Sequence, residues 1–263
     1  MRCVKWGSFI LLAIAIMIGM RNYTVKKTDN SKAPKVILNE RQKEILFKEG
    51  LSTNYEELEL SQQMAIVAIE DMLKYVENKY DIPFKYSGYI AASPLEPEQL
   101  KAYPVLKDKV GDRITVTKTD EGYEDDYISI ASNDIYTSYI LTGIQDLIPE
   151  TMIKVYTEIT KTSLLKVPED GKDFDGTTEA AIFVFIDGAT CSEDDFLNLI
   201  NNCKSYLSNH NLYSLVQFIR MKEDMIKFVT GSNFDNYLSE EYFYTRESVH
   251  IKKWYEWNIN NLE

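Results

Sequence analysis

Two histidines, three cysteines and one dense acidic loop are the raw material from which this chain could build chemistry. The loop runs Glu169-Asp170-Gly171-Lys172-Asp173-Phe174-Asp175-Gly176. With Gly176 at the sixth position of an EF-hand loop, Gly171 falls at the first and Ile182 at the twelfth, where calcium needs carboxylates. That motif fails. A looser cation site on Asp170, Asp173, Asp175 and Glu179 stays open beside the plainer reading of a solvated acidic loop. Asp187-Gly188-Ala189-Thr190 follows an apolar run, a place where α/β enzymes put catalytic carboxylates. An Asp-x-Asp-Gly-Thr phosphatase would need an acid at Phe185, and a Cys-x5-Arg phosphatase would need arginine at Leu197. Cys191 precedes a helix start, which favours a thiolate, but Glu193, Asp194 and Asp195 oppose it. Those acids suit the helix dipole better, with Ser192 and Asp195 as a capping pair.

The histidines add little. His210, in Ser-Asn-His-Asn, reads as a helix C-cap partner, and His250, between Val249 and Ile251, as part of an exposed face. Neither accompanies a Gly-x-Ser-x-Gly elbow, and the sequence contains no P-loop or Gly-x-Gly-x-x-Gly. No catalytic residue and no cofactor is therefore named. The densest aromatic cluster is C-terminal: Tyr237, Tyr242, Phe243, Tyr244, Trp254, Tyr255 and Trp257. Aromatics usually fill a core. If exposed, Tyr242, Tyr244, Trp254 and Trp257 would form a face for a protein or glycan.

The elements that must position these residues read as an α+β fold. Asn39 and Gln42 make a capping box, and Gly50 with Leu51 makes a Schellman end, so a short helix opens the body. A long helix follows from a Ser61 cap to Tyr80. Ala65, Ile66, Ala68, Ile69, Met72, Leu73, Tyr75, Val76 and Tyr80 form its broad apolar stripe, with Gln63, Glu70, Lys74 and Glu77 opposite. It is expected to lie across an antiparallel or mixed sheet with strands at 84–91, 113–119 and 127–131. Pro94, Pro97 and Pro104 interrupt the stretch between the first two. A helix capped by Asn133 or Asp134 runs to Leu147. In the second half, 152–159, Ala180–Ile186 and Leu212–Met221 read as strands. Ala180–Ile186, AAIFVFI, has the continuity of a buried central strand. A helix from Ser192 to Leu207 completes a βαβ-like unit. Cys203 falls on its apolar side, and Cys191 lies about 18 Å away along the axis, too far for a disulfide.

The N-terminus is of another kind. Trp6–Met20, WGSFILLAIAIMIGM, carries no charge and follows Arg2 and Lys5. Its Ala13-Ile14-Ala15 lies inside the run, and Cys3 precedes it, so neither cleavage nor lipidation fits well. An uncleaved membrane helix over 1–20 is expected, then a basic linker over 21–35, then modules at 36–149 and 150–263 that could pack as one. Residues 1–35 hold seven basic residues and one acid, net +6; the other 22 basic and 40 acidic residues give −18. So acidic a body repels phosphate backbones and excludes nucleic acid as a partner. Five positive charges after the run argue for a cytoplasmic body. Export is the usual fate of such a start, and the body is expected outside a single-pass anchor.

Between Ser61 and Ile130 the helix ending MLKYVENKYDIPF, separated strands and a turn into EDDYISI resemble uncharacterised exported or membrane-anchored proteins of Gram-positive bacteria. The resemblance implies a cystatin-like packing and export, and names no site. The function expected is a non-enzymatic interaction or accessory protein of the cell envelope, contacting the membrane and an envelope protein or glycan. The alternative is an extracytoplasmic hydrolase of cell-wall or peptide material using paired carboxylates, and a third reading is a membrane sensor.

Overall fold

The computed structural model describes residues 36–105, 110–148 and 152–252. The expected membrane helix, the linker, Trp254 and Trp257 lie outside the described residues, and no described helix is long and apolar enough to cross a membrane.

Helix α1 spans Glu40–Lys48 and α2 spans Leu60–Tyr80. The Asn39–Gln42 capping box forms with both bonds in place. Gly50 takes φ +72°, where a side chain would be strained, and the Schellman bonds Gly50 N to Phe47 O (3.0 Å) and Leu51 N to Leu46 O (2.8 Å) close α1. Helix α2 starts one residue before the expected Ser61 cap. Glu59 takes the cap position, its N–H donating to Gln62 Oε1 at 2.9 Å. The stripe Ile66, Ile69, Met72, Leu73 and Val76 is buried as its periodicity requires.

Glu70 departs from expectation. It is 4% exposed rather than on an outer face, because α1 packs over that flank of α2. Arg41 grips it at 3.0 Å through both Nε and Nη2, Asn39 donates to it at 2.8 Å, and the expected Lys74 pair stands at 3.4 Å. Arg41 also reaches Glu77 at 2.6 Å. A buried carboxylate costs several kcal/mol unless paired in this way.

The first sheet is an antiparallel meander of β1 (Phe84–Ile90), β2 (Gln99–Pro104), β3 (Ile114–Thr119) and β4 (Gly122–Asp125). Strand β2 was not expected among its prolines. They bound it instead, with Pro104 as its last residue, opposite Phe84, while Leu100 and Ala102 point into the core.

Residues 127–131 are not a strand. They are the first turn of α3, Tyr127–Gln145, which starts before the expected Asn133 or Asp134 cap. The reason lies in spacing: Ile128, Ser132, Tyr136, Ile140 and Ile144 recur every four residues and are all buried. Tyr127 and Ile130 pack on the first core, Tyr136, Ile140 and Ile144 in the second, so one helix serves both.

The second sheet orders β5 (Ile153–Thr162), β6 (Thr178–Asp187), β7 (Tyr213–Met221) and β8 (Phe243–Ile251). Strands β6 and β7 are parallel and joined through α4, Glu193–Asn209, which is the expected βαβ unit; the outer pairings are antiparallel. Helices α3 and α4 cover one face. Ile226, Val229 and Phe234 cover Phe183, Phe185, Ile219 and Met221 on the other. Asn133 of α3 satisfies the outer edge of β5, donating to Thr157 O at 2.7 Å and accepting from Ile159 N at 3.3 Å.

Candidate functional site

Three places bring chemically capable side chains together. The first joins the acidic loop to the ends of two helices. Phe174 anchors the loop in the core, and a Cβ on Gly171 would sit 2.4 Å from Tyr139, so only glycine lets the loop close on α3. Asp175 then meets His210, the C-cap of α4, with Oδ2 3.1 Å from Nδ1. The Tyr139 hydroxyl donates to Asp175 Oδ1 at 3.0 Å and lies 3.2 Å from the same His210 nitrogen. Burial and the Asp175 carboxylate push the Tyr139 phenol well above its ordinary range. His210 is thus the cap partner expected from sequence, with a carboxylate 35 residues upstream that no local signal announced.

The looser cation set does not converge. Asp170 Oδ1 accepts from Lys172 N at 3.0 Å, while Asp175 is turned to Tyr139 and His210. Among the described residues no group of three or more His, Cys, Asp or Glu is placed to hold a metal ion.

The second place is the end of β6. Cys191 is buried, and burial first, then Asp195, push its thiol up against a weaker pull from Arg220, with Asp187 adding least. Such a thiol is a poor nucleophile. Cys203 lies in the core as expected, pushed up to about 12 by burial, and both cysteines are free. Ser192 caps α4 as expected, and its hydroxyl also donates to Asp195 Oδ2 at 2.6 Å. Arg220 donates from Nε to Cys191 O at 2.8 Å and lies over the Tyr244 ring, 5.2 Å from its centroid. Of the aromatic face expected from the sequence, Tyr242 and Tyr244 are among the described residues. Tyr244 is 51% exposed, while Tyr242 packs on Tyr237 with ring centroids 4.9 Å apart.

The third place was not foreseen. The segment 225–238 covers only one end of the outer face of the second sheet, and at the other end a concavity of about 210 Å³ remains. Thr160 of β5, Glu179 of β6, Tyr213 and Leu215 of β7, and His250 and Lys252 at the end of β8 line it. Leu215 faces outward from a central strand, directly opposite His250. The sole signal in the sequence was the alternation of Tyr213, Leu215 and Gln217 with the buried Ser214, Val216 and Phe218.

No protein-family model and no curated protein matches the chain. A crystal structure of a DUF5037 family protein from Ruminococcus gnavus is similar at 12% identity, over 71% of this chain and 92% of that one, with a TM-score of 0.36. A likeness at that level carries no functional argument.

Proposed function

We propose that this is a membrane-tethered, non-enzymatic interaction or accessory protein of the cell envelope, as its resemblance to exported Gram-positive proteins suggested. The observation that carries this reading is the concavity on the outer face of the second sheet. It draws on four strands and sets Leu215 among the polar side chains of Thr160, Glu179, Tyr213 and His250. Such a surface suits recognition of an extended envelope glycan or peptide. The tether rests on Trp6–Met20, and the outward orientation on the short basic start, Arg2 and Lys5, ahead of that run, against the five positive charges that follow it.

The adjacent carboxylates Asp125 and Asp126 point the same way. Asp125 accepts from Tyr75, Tyr80 and Lys79 at 3.1, 2.8 and 2.8 Å. Asp126, whose acidity burial weakens, holds Thr115 N at 2.7 Å. Asp125 ties the β4–α3 junction to α2 and Asp126 ties it to β3, so this adjacent pair serves the fold, which supports the interaction reading over a hydrolase built on it.

The test titrates the full-length chain with soluble peptidoglycan fragments and with envelope peptides, following amide exchange in 213–217 and 248–252. Protection there, lost in Leu215→Asp, is expected. Release of products from those substrates, abolished by a carboxylate substitution, would overturn the reading in favour of a hydrolase. Protease added to spheroplasts should digest the body, and full protection would reverse the orientation.

A further inference from the structure

Helix α2 is apolar on two sides, and the fold uses one. At 100° per residue, Leu60, Met64 and Val67 fall within about 60° of one another, on the side away from Ile69, Leu73 and Val76. They are 71%, 66% and 38% exposed. Their 4-3 spacing is that of a helix-pairing seam about 10 Å long. Scattered exposed apolar residues need no explanation, but three in register on a helix whose opposite face already packs on a sheet do. Exposed Glu56, Glu57 and Glu59 stand at one end and exposed Asp71 at the other, where the next cation, Lys74, is turned to Glu70 at 3.4 Å.

We propose that this seam docks an amphipathic helix with basic flanks, carried by another protein. Charge decides between occupants. An antiparallel second copy, placing Leu60 against Val67, would bring Glu56 and Glu57 near Asp71 of its partner, acid upon acid. An anionic bilayer surface would meet the same acids. A basic helix gains from both the apolar stripe and its rim. The interface rests on the interaction reading only for its setting, since it lies on the first half of the chain and uses none of the sheet concavity.

The test uses the full-length chain in zwitterionic nanodiscs, with empty nanodiscs as background. The probe is a labelled 18-residue leucine–lysine model helix, with a leucine–glutamate counterpart, read by fluorescence anisotropy. Binding of the lysine helix alone is expected, weakened by 0.5 M salt and about tenfold or more by Met64→Glu or Leu60→Glu, each at an exposed site with an unchanged melt. Leu215→Asp in the sheet concavity should leave it intact, so loss of one reading does not carry the other. Equal binding to the wild type and Met64→Glu would mean charge attraction alone and overturn the proposal. A dimer that Met64→Glu dissociates would overturn it in favour of a second copy. Insertion of a fluorophore at Met64→Cys into anionic discs without peptide would overturn it in favour of a membrane.

Discussion

The two sheets solve burial in opposite ways. The first is a one-sided meander under a single long helix, and its flanks are closed by charge: Glu70 held by Arg41 and Asn39, Asp125 held by Lys79, Tyr75 and Tyr80. The second buries both faces of its central strand in hydrocarbon, and its polar knot of Asp175, His210 and Tyr139 sits at the rim. A small one-sided sheet has too little apolar area to cover the edges of its helix, so neighbouring elements must meet polar side chains there. A two-sided sheet can leave part of a face open and still hold, which is how a surface for recognition arises. Helix α3 belongs to both solutions.

That sharing gives the largest expected effect. Leu73 of α2 is fully buried in the first core, and Leu73→Asp would bury an unpaired charge at a cost of several kcal/mol, comparable to a net domain stability of about 5–15 kcal/mol. Because α3 packs in both cores, thermal melting should show loss of both halves together. A surviving cooperative transition with protected β6 amides would break the coupling and make the halves separate folding units. Phe185→Ala, in the two-sided sheet, should cost about 3–5 kcal/mol by urea unfolding.

The contrast also explains what was legible in the sequence. Helix α2, strand β6, the Asn39 box, the Gly50 end and the Ser192 cap are local patterns, and each forms where its residues require. Strand β2 was hidden because Pro94, Pro97 and Pro104 read as breakers within a strand rather than as its borders. The start of α3 was hidden because Tyr127-Ile128-Ser129-Ile130 alternates like a strand, and only the four-residue spacing onward to Ile144 shows the helix. Glu70 was misplaced because periodicity on one helix cannot see α1 arriving over it. The concavity left only the alternation of Tyr213, Leu215 and Gln217, since its lining residues come from four strands and their ends, drawn from sequence positions 160 to 252.

The charged flank can be tested directly. Arg41→Met should cost about 2–4 kcal/mol, below the full penalty for an orphaned buried charge because Asn39 and Lys74 still serve Glu70. The double variant Arg41→Met with Glu70→Met should recover more than half of that loss, since no buried charge is left behind. If the double variant is as unstable as the sum of the singles, Arg41 and Glu70 are not coupled and their pairing does not hold the flank. The first half would then not be compensating for a small core.

The smallest effect concerns the Asp125 cage and reads out in alkali. Burial, with the neighbouring Asp125 carboxylate adding to it, pushes the Tyr80 phenol up to about 12, against about 10 in an unfolded chain. The folded state therefore holds this proton more tightly. Its contribution to stability is complete below pH ~10 and disappears as the pH rises through ~12. Lys79, whose burial is outweighed by bonds to Asp125 and the two tyrosines, is also raised and acts in the same sense. Tyr80→Phe should cost about 1 kcal/mol at neutral pH, one hydrogen bond to a carboxylate that keeps its other donors. Between pH 10 and 12 the wild type should lose stability more steeply than the variant, so their unfolding midpoints converge. Parallel curves would mean that Tyr80 ionises freely in the folded protein, and that the cage around Asp125 is held by Lys79 and Tyr75 alone.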